Sequence, residues 1–368
     1  MKNIKVLHAS MVRHPETGIQ NQLTFERRAA KELNIPFKSS LYVASEQLSS
    51  DNQIDHPQPR SLWSRFIYRS KERKAYIEYL KAQQKKYDIL LLRWSLADPI
   101  FVQFILDTSL PVITVHHVVE VKELRLRGAE GYGLSVYDDY LFRKASIELS
   151  GIVGVTQEIL HYEIKRAEGG AQDKLSLVYP NGIYWDQEFI PTGRIGEKGC
   201  PTFIFVASNF SPWQGLDLLL NSTEKTKIPF VLHVVGSVDV SLVNRFFQDK
   251  RIIFHGPLGQ RDLINLYFQS DVGLSPFAIE RQGLTEACSL KTREYLRNGL
   301  PVFSGHKDVF PSDFPFFHCG NASIEEAVAY WRSVKGNFRL DVANESRRFI
   351  DKTALLKKFY SAMSAWAG

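Results

Sequence analysis

The sequence predicts an α/β protein with two domains, each built on a parallel sheet, and three observations support this. Short apolar runs typical of buried strands alternate with helical stretches along most of the chain. At 368 residues the chain is too long for one ordinary hydrophobic core. The alternation also pauses after Leu177-Val-Tyr-Pro180-Asn-Gly-Ile183, where the sequence is polar and glycine-rich through Gly199, and then a second series of strands begins.

Each half of the chain has its own series of predicted elements. The predicted strands are Ile4–His8, Phe37–Val43, Ile89–Trp94, Pro111–His116, Gly151–Thr156, Thr202–Ala207, Phe230–Val235, Ile252–His255, Val272–Ser275 and Pro301–Ser304. The predicted helices include Gln20–Leu33, Asp98–Leu106, Gly215–Ser222, Val240–Gln248, Gln260–Gln269 and Ser289–Asn298, with two or three more between Ser323 and Trp366. The predicted domains are 1–185 and 198–345. A C-terminal helix is predicted over 346–368, and one option is that it packs against the first domain.

Composition limits the class of protein and of partner. Hydrophobic content of 44% and charged content of 23% are typical of a globular protein. A net charge of +6 favours an anionic partner, either a phosphate ligand or an acidic bilayer surface. The three cysteines are scattered without metal-binding spacing, which indicates a reducing compartment. Without a signal-peptide pattern at Met1–His8 or a run of ~18 apolar residues, the expected location is the cytoplasm.

The segment from Glu286 to Glu294 is the strongest candidate for a ligand site. These two carboxylates stand on either side of a predicted helix start, and the helix ends at Gly299-Leu-Pro301. A buried-strand pattern lies just before them, at Asp271–Pro276. This order places acid and amide groups at the carboxyl end of a parallel sheet, where open α/β sheets bind ligands. A nucleotide sugar is the ligand that best suits such groups.

Further motifs stand in a recognisable order: Gly18 in the first loop, Thr114-Val-His116 at a strand end, Pro180-Asn-Gly-Ile183, and Pro212-Trp-Gln-Gly215-Leu-Asp217. Together with the two glutamates, they make the chain resemble the family-4 glycosyltransferases of the GT-B fold. The resemblance implies two Rossmann-like domains whose parallel sheets face each other across a cleft. It also implies a retaining, hexosyltransferase-type transfer from a nucleoside diphosphate sugar, without metal or other cofactor, to a glycan or lipid-linked acceptor held by the first domain.

The resemblance assigns roles to residues around the second strand series. Glu294 would bind the ribose, and Glu286 would act near the donor sugar as a catalytic residue. Next to Ser289, the backbone N–H groups of Leu290 and Lys291 would face the diphosphate, because the first N–H groups of a helix lack internal partners. The alternative is that Lys291 and Glu294 only form the solvated face of an amphipathic helix.

The loop from Ser208 to Gly215 departs from the family pattern. Asn209 and Gln214 are neutral amides where relatives often have Arg and Lys, so they would bind a diphosphate without charge assistance. Lys291, Arg293 or Arg281 would then have to supply the cation. The alternative is a surface loop that caps a helix. The family also usually has two glycines in the first loop, where this chain has Gly18, and a plain loop glycine is the other interpretation there.

His116 and Arg93 are the candidates at strand ends in the first domain. His116 is expected to point into the cleft as a second catalytic residue, with a hydrogen-bonded core histidine as the alternative. His117 should point the other way, because successive strand residues alternate sides. Arg93 is predicted to face the acceptor, although a surface cation fits equally well.

A basic, aromatic-rich stretch from Arg60 to Lys86 has nine Lys or Arg against two Glu. Trp63, Arg65 and Arg69 are therefore placed on an acceptor or membrane side, because a basic amphipathic helix can lie in a bilayer interface. The alternative is an ordinary helix with a charged outer face. Nucleic acid is not expected as a partner, since no nucleic-acid module accompanies the stretch.

Two other functions stay open. A sugar-nucleotide epimerase would use the same two-domain scaffold, and so would a non-catalytic partner subunit, which the neutral Asn209 and Gln214 favour. Neither an Asp-x-Asp pair nor a Cys/His cluster for zinc occurs. By family association the setting is bacterial surface polysaccharide synthesis, in the cytoplasm or at the inner face of the membrane.

Overall fold

The computed structural model describes residues 3–13, 17–44, 62–126, 128–167, 174–185 and 190–368, with the side chains of residues 17 and 62–68 outside the description. The chain divides into two compact units. Unit 1 comprises Met1–Tyr179 and Lys352–Gly368, and unit 2 comprises Pro180–Asp351.

Unit 1 contains a six-stranded sheet in the order β2-β1-β3-β4-β5-β6, with every pair parallel. Its strands are β1 (Val6–Val12), β2 (Phe37–Val43), β3 (Ile89–Arg93), β4 (Val112–His116), β5 (Gly151–Gly154) and β6 (Leu175–Val178). Its helices up to this point are α1 (Thr17–Glu32), α2 (Leu62–Gln83), α3 (Pro99–Asp107), α4 (Glu120–Arg125), α5 (Gly128–Ser146) and α6 (Gln157–Arg166). Strands such as Ile-Leu-Leu-Leu of β3 are apolar on both faces because helices cover both sides of a parallel sheet.

Unit 2 contains the second six-stranded parallel sheet, in the order β12-β11-β10-β7-β8-β9. Its strands are β7 (Thr202–Asn209), β8 (Val231–Ser237), β9 (Ile252–Gly256), β10 (Val272–Leu274), β11 (Val302–Ser304) and β12 (Phe317–Cys319). Its helices are α7 (Leu216–Thr223), α8 (Val240–Phe246), α9 (Gln260–Gln269), α10 (Leu290–Arg297), α11 (Ile324–Val334) and α12 (Arg339–Ile350), and short 3₁₀ helices lie at Pro212–Gln214 and Ile279–Gln282.

These two sheets confirm the predicted α/β class and its parallel strands. The sequence did not predict β6 and β12, because both are four residues or shorter and are mostly exposed or half-buried, so neither forms an apolar run. The predicted helix over Gln260–Gln269 has the same bounds as α9, and Asp98 proves to be the N-cap of α3, where its carboxylate accepts from the amides of Ile100 and Phe101.

The strand order of unit 2 reverses between β7 and β10. From β7 the chain moves outward to β8 and β9, and then returns to β10 on the other side of β7. The loops after β7 and β10 therefore leave two neighbouring strands at the carboxyl end of the sheet. This topological switch point is where open α/β sheets bind their ligands.

The last helix, α13 (Lys352–Trp366), belongs to unit 1. Leu356, Phe359 and Met363 are buried, and the Phe359 ring stacks on Tyr179 with centroids 4.1 Å apart. Burying three side chains of this size stabilises unit 1 by several kcal/mol, at about 2 kcal/mol each. Among the described residues, none of the helices combines the length and the apolar character needed to cross a membrane.

Candidate functional site

The loops after β7 and β10 are joined at the switch point of unit 2. Phe277 N donates to Gln214 O at 2.9 Å, and Ala278 N donates to Trp213 O at 3.2 Å. Between them, Gly215 has φ of +68°, and a Cβ there would lie 3.0 Å from Phe277 Cβ. Only glycine adopts this conformation without strain, so Gly215 lets the two loops approach each other.

An ion pair joins the start of α7 to the segment that follows β10. Arg281 contacts both carboxylate oxygens of Asp217, at 3.0 and 2.9 Å, and also donates to Pro212 O at 2.6 Å. The hydrogen bonds from Arg281 lower the pKa of Asp217 below its ordinary value. Arg281 is therefore committed to a carboxylate, which makes it a poorer source of charge for a diphosphate than the sequence suggested.

The sequence analysis assigned Gln214 to the diphosphate, but in the structure it has a capping role. Its Oε1 accepts a hydrogen bond from Ser211 N at 2.5 Å, while the Ser211 side chain accepts from Gln214 N. This reciprocal pair is a capping box, and the pattern Ser211-x-x-Gln214 was its signal in the sequence. The alternative interpretation, a loop that caps a helix, thus fits the buried Gln214 side chain, whereas Ser208 and Asn209 are exposed at the end of β7.

The first turn of α10 brings three predicted residues together. Ser289 is the N-cap, and its hydroxyl accepts from Lys291 N at 3.2 Å. The Lys291 ammonium contacts Glu294 Oε2 at 2.6 Å. Of the two amides expected to face a diphosphate, that of Lys291 is thus used by the cap, while the Leu290 amide has no acceptor among the residues described here.

Glu294 also has a partner that the sequence analysis missed. The hydroxyl of Tyr267, at the end of α9, donates to Glu294 Oε2 at 3.1 Å. With two donors on Oε2, the carboxylate is held in one orientation, and Oε1 has no donor within the described part of the chain. About a quarter of the side chain is exposed, at 24%. No local pattern links residues 27 positions apart, so only the fold could show this contact.

Glu286 lies on the segment that leads into α10. It forms a parallel bridge with Lys307, in which Ala287 N donates to Lys307 O and Lys307 N donates to Thr285 O, both at 3.0 Å. The bridge fixes this part of the loop next to the chain that follows β11. Glu286 is half-buried there.

Arg293 is a buried structural residue and not a ligand-binding cation. Its guanidinium contacts both oxygens of Asp308, at 2.5 and 2.6 Å, with both side chains fully buried. It also donates to Asn181 O at 3.0 Å and to Ser289 O at 3.2 Å. Burial alone would lower its pKa, but Asp308 raises it above the ordinary value. The sequence-based option that Arg293 supplies charge to a diphosphate is therefore wrong: it holds the start of α10 in place.

In unit 1 the structure places His116 in the interior, which differs from the expected outward orientation. The ring is fully buried, with Nδ1 3.2 Å from Glu120 Oε2 and Nε2 3.2 Å from Thr114 Oγ1. It also stacks with the Trp94 ring, at a centroid distance of 6.2 Å. Burial alone would lower its pKa, but Glu163 and Glu120 raise it. This is the placement of a hydrogen-bonded core histidine, the alternative that the sequence had left open.

His116, Glu120 and Glu163 also form the one group, among the described residues, with spacing suitable for a metal ion. However, Arg166 contacts the Glu163 carboxylate at 3.2 Å and also pairs with Asp138 and Asp139. A guanidinium so close to a would-be ligand oxygen already supplies the positive charge. The donor set therefore fits a buried ion-pair network better than a metal site.

Three other predicted residues of unit 1 are exposed or half-buried. Gly18 lies in the first turn of α1 and not in a loop, because the helix begins at Thr17, earlier than predicted; it is exposed, and a Cβ there would meet nothing within 4 Å. Arg93 is half-buried at the end of β3, and Arg69 is exposed on α2. The side chains of Trp63 and Arg65 lie outside the described residues.

Solved structures match the chain over nearly its whole length. HepE from Anabaena, in complex with UDP and glucose, shares 13% identity at a TM-score of 0.61, over 98% of this chain and 100% of its own. TarM from S. aureus, in complex with fondaparinux, α-GlcNAc-glycerol and UDP, shares 11% identity at a TM-score of 0.64, over 97% and 99%. A Listeria monocytogenes protein provisionally described as a UDP-N-acetylglucosamine 2-epimerase shares 12% identity at a TM-score of 0.54, over 99% of this chain and 97% of its own.

Identities this low show a common fold and nothing finer. That fold is the one shared by GT-B glycosyltransferases, and it confirms the predicted fold class. No family profile matches the chain, and no curated protein sequence matches it.

Proposed function

We propose that this protein is a glycosyltransferase that uses a nucleoside diphosphate sugar, and that unit 2 holds the donor at the switch point between β7 and β10. The observation that supports this most strongly is the orientation of Glu294. Its carboxylate is held by Lys291 and Tyr267 at the start of a helix on the carboxyl side of the sheet, with one oxygen available to a ligand. The GT-B fold adds support, although a fold alone does not determine function.

The polar groups at this position match the parts of a nucleotide sugar. Glu294 Oε1 is a charged acceptor suited to ribose hydroxyls, and bonds of this kind are shorter and stronger than neutral ones. The Leu290 amide and the Lys291 ammonium are donors one turn away, suited to the diphosphate. Ser208 and Asn209, exposed at the end of β7, can donate neutral hydrogen bonds to the same phosphates.

The finer parts of the proposal concern the reaction and its setting. We assign the transfer to a retaining, family-4 type of hexosyl transfer without metal, in which the bond from the sugar to the leaving phosphate breaks and a bond to the acceptor hydroxyl forms. The leaving diphosphate takes up the acceptor proton, and Glu286 orients the donor sugar. Unit 1 would hold the glycan or lipid-linked acceptor, at the inner face of a membrane, in the synthesis of a bacterial surface polysaccharide.

A thermal-shift screen with UDP-, GDP-, ADP-, CMP- and dTDP-sugars tests the donor site. The sugar nucleotide with the preferred base should raise the melting temperature in a concentration-dependent way, because a ligand that binds only the folded state stabilises it. The Lys291→Gln variant should reduce that shift, whereas Lys227→Gln, an exposed lysine between α7 and β8, should not. A chain whose melting temperature responds to none of the five sugars would contradict the proposal.

An epimerase is a second candidate, because one of the matching structures is described as a UDP-N-acetylglucosamine 2-epimerase. It would bind the same nucleotide in unit 2 but would act on the donor without an acceptor. Chromatography of the sugar nucleotide after incubation with the protein alone separates the two. An epimerised product without acceptor would replace the transferase proposal, and an unchanged nucleotide would remove the epimerase.

A non-catalytic subunit is favoured by the neutral Asn209 and Gln214, because the segment from Ser208 to Gly215 contains no Lys or Arg that could bind a diphosphate. Such a subunit should bind no nucleoside diphosphate. Calorimetry with UDP and GDP distinguishes it, since Kd in the micromolar range for either nucleotide is incompatible with an inert scaffold.

A further inference from the structure

Exposed apolar side chains concentrate on one face of α5 in unit 1. Seven of the fifteen exposed large apolar residues in the described part of the chain lie between Leu126 and Ile147, so they form a surface and are not scattered singly. The opposite face of α5 packs into unit 1 through buried residues at helical spacing, among them Ser135, Asp138 and Phe142. The outward side, which we call the α5 face, presents Tyr132, Val136, Tyr137, Tyr140 and, just after the helix, Ile147.

The α5 face is large enough to be an interaction surface. Its three tyrosines are 58%, 42% and 61% exposed, and at ~200 Å² for each side chain they alone leave about 300 Å² accessible. With Val136 and Ile147, which are 51% and 69% exposed, the face matches the largest apolar patch of a typical monomer, ~300–600 Å², which is often functional. Two such faces with their polar rims supply on the order of 1,000 Å², the minimum expected of a specific protein interface.

Gly133 is exposed on the same face, and the packing of unit 1 does not explain it. Among the described residues, no heavy atom lies within 4 Å of the position that a Cβ would occupy there. A glycine inside a helix costs about 1 kcal/mol relative to alanine, so the fold of the single chain gains nothing from it. It leaves a gap in the α5 face, and the Tyr140 side chain, two turns further along, has the size to fill that gap in a second copy.

The charges of α5 are opposite at its two ends. Glu130 lies in the first turn, whereas Arg143 and Lys144 lie in the last turn. Glu130 and Lys144 are separated by nearly four helical turns, so both lie on the same side of the α5 face. An antiparallel copy therefore brings opposite charges together at both ends. An acidic bilayer is disfavoured as the occupant, because the exposed Glu130 and Glu148 offset the two cations.

We propose that the α5 face is the interface of a homodimer, in which two copies of α5 pack antiparallel about a two-fold axis near Tyr137. In that register Tyr140 covers Gly133 of the second copy, and Glu130 meets Lys144 of the second copy. A two-fold interface has to be self-complementary, and here apolar meets apolar, large meets small and acid meets base. The assignment goes beyond the proposed function and does not depend on the donor site.

Sedimentation velocity of the full chain, from about 1 to 100 µM, tests the assignment. A reversible monomer–dimer equilibrium with Kd in the micromolar range is expected, because the buried area is near the lower limit for a specific complex. A chain that stays monomeric at every concentration overturns it. Flotation with phosphatidylglycerol vesicles examines the other occupant: a monomer whose flotation is lost in Tyr140→Gln would overturn the dimer and assign the face to a lipid surface.

Further variants locate the dimer interface. Tyr140→Gln should raise Kd at least tenfold, because each dimer loses two central rings. The matched control is Phe247→Gln, just after α8, which changes a ring that is equally exposed, at 61%, and should leave Kd unchanged. Lys144→Glu should raise Kd about fivefold by placing like charges together, and adding Glu130→Lys should restore it. Equal Kd in the two glutamine variants, or a double variant no tighter than Lys144→Glu alone, overturns the assignment.

Discussion

Replacing Glu294 by alanine is expected to weaken nucleotide binding about 10- to 100-fold while unit 2 stays folded. Hydrogen bonds to a charged acceptor are worth about 1.5–3 kcal/mol, and each 1.4 kcal/mol is a tenfold change in Kd. The cost to folding should be small. The contact with Lys291 is part-exposed on both sides, at 32% and 24%, so that ion pair stabilises the fold by no more than about 1 kcal/mol.

Isothermal titration with UDP and GDP measures the affinities, and urea denaturation measures folding. Tyr267→Phe removes one donor to Glu294 Oε2 and should raise Kd by only about two- to fivefold, because the carboxylate remains but is less well oriented. This loss corresponds to a fraction of the free energy of one ordinary hydrogen bond. Glu345→Ala, an exposed glutamate on α12, is the matched control and should leave Kd unchanged. The reasoning is refuted if Glu294→Ala binds the nucleotide as tightly as Glu345→Ala does.

Three further predictions concern stability. Arg293→Met should cost about 3–5 kcal/mol in urea denaturation, because it leaves Asp308 buried without its cation, and adding Asp308→Leu should restore most of the loss; a double variant no more stable than the single one would contradict this. Gly215→Ala should cost at least ~1 kcal/mol at φ +68°, and an unchanged melting temperature would remove the strain argument. Burial raises the pKa of Glu163 from 4.5 to about 7, so stability that is full below pH 4.5 is lost as pH rises through 7, by about 3 kcal/mol. Urea denaturation at pH 5 and pH 8 should show a smaller change in the free energy of unfolding for Glu163→Gln than for the unchanged protein. An equal change in the two proteins would argue against this role of Glu163.

Much of the fold could be predicted because buried parallel strands have a strong local signal. The apolar run at Ile89 and the helical spacing from Gln260 to Gln269 depend only on neighbours in sequence. The strand Phe317–Cys319 has no such signal, since its residues pair with β11 at a sheet edge and stay partly exposed. A pattern of alternation cannot show that kind of pairing, which depends on the whole sheet.

Sequence spacing explains some of the contacts among the candidate site residues, and partners that are distant in sequence explain others. Lys291 and Glu294 are three positions apart on a predicted helix that begins at Ser289, so their proximity follows from sequence spacing. The burial of His116 depends on Trp94 and on Glu163, which come from other elements. Those partners are distant in sequence and leave no local pattern from which a core position could be distinguished from an exposed one.

Gln214 is a different case, since its signal was local. The Ser211-x-x-Gln214 spacing indicates a capping box, but the resemblance to a family with a cation at this position favoured a phosphate contact instead. A local structural pattern therefore competed with a resemblance, and the structure follows the local pattern.

Hydrogen–deuterium exchange with UDP-glucose and GDP-mannose tests the central claim most directly. If unit 2 holds a nucleoside diphosphate at its switch point, the donor that binds should slow amide exchange in residues 208–215 and 286–294. Slowed exchange confined to other segments, or unchanged exchange with a nucleotide sugar that demonstrably binds, would contradict the account.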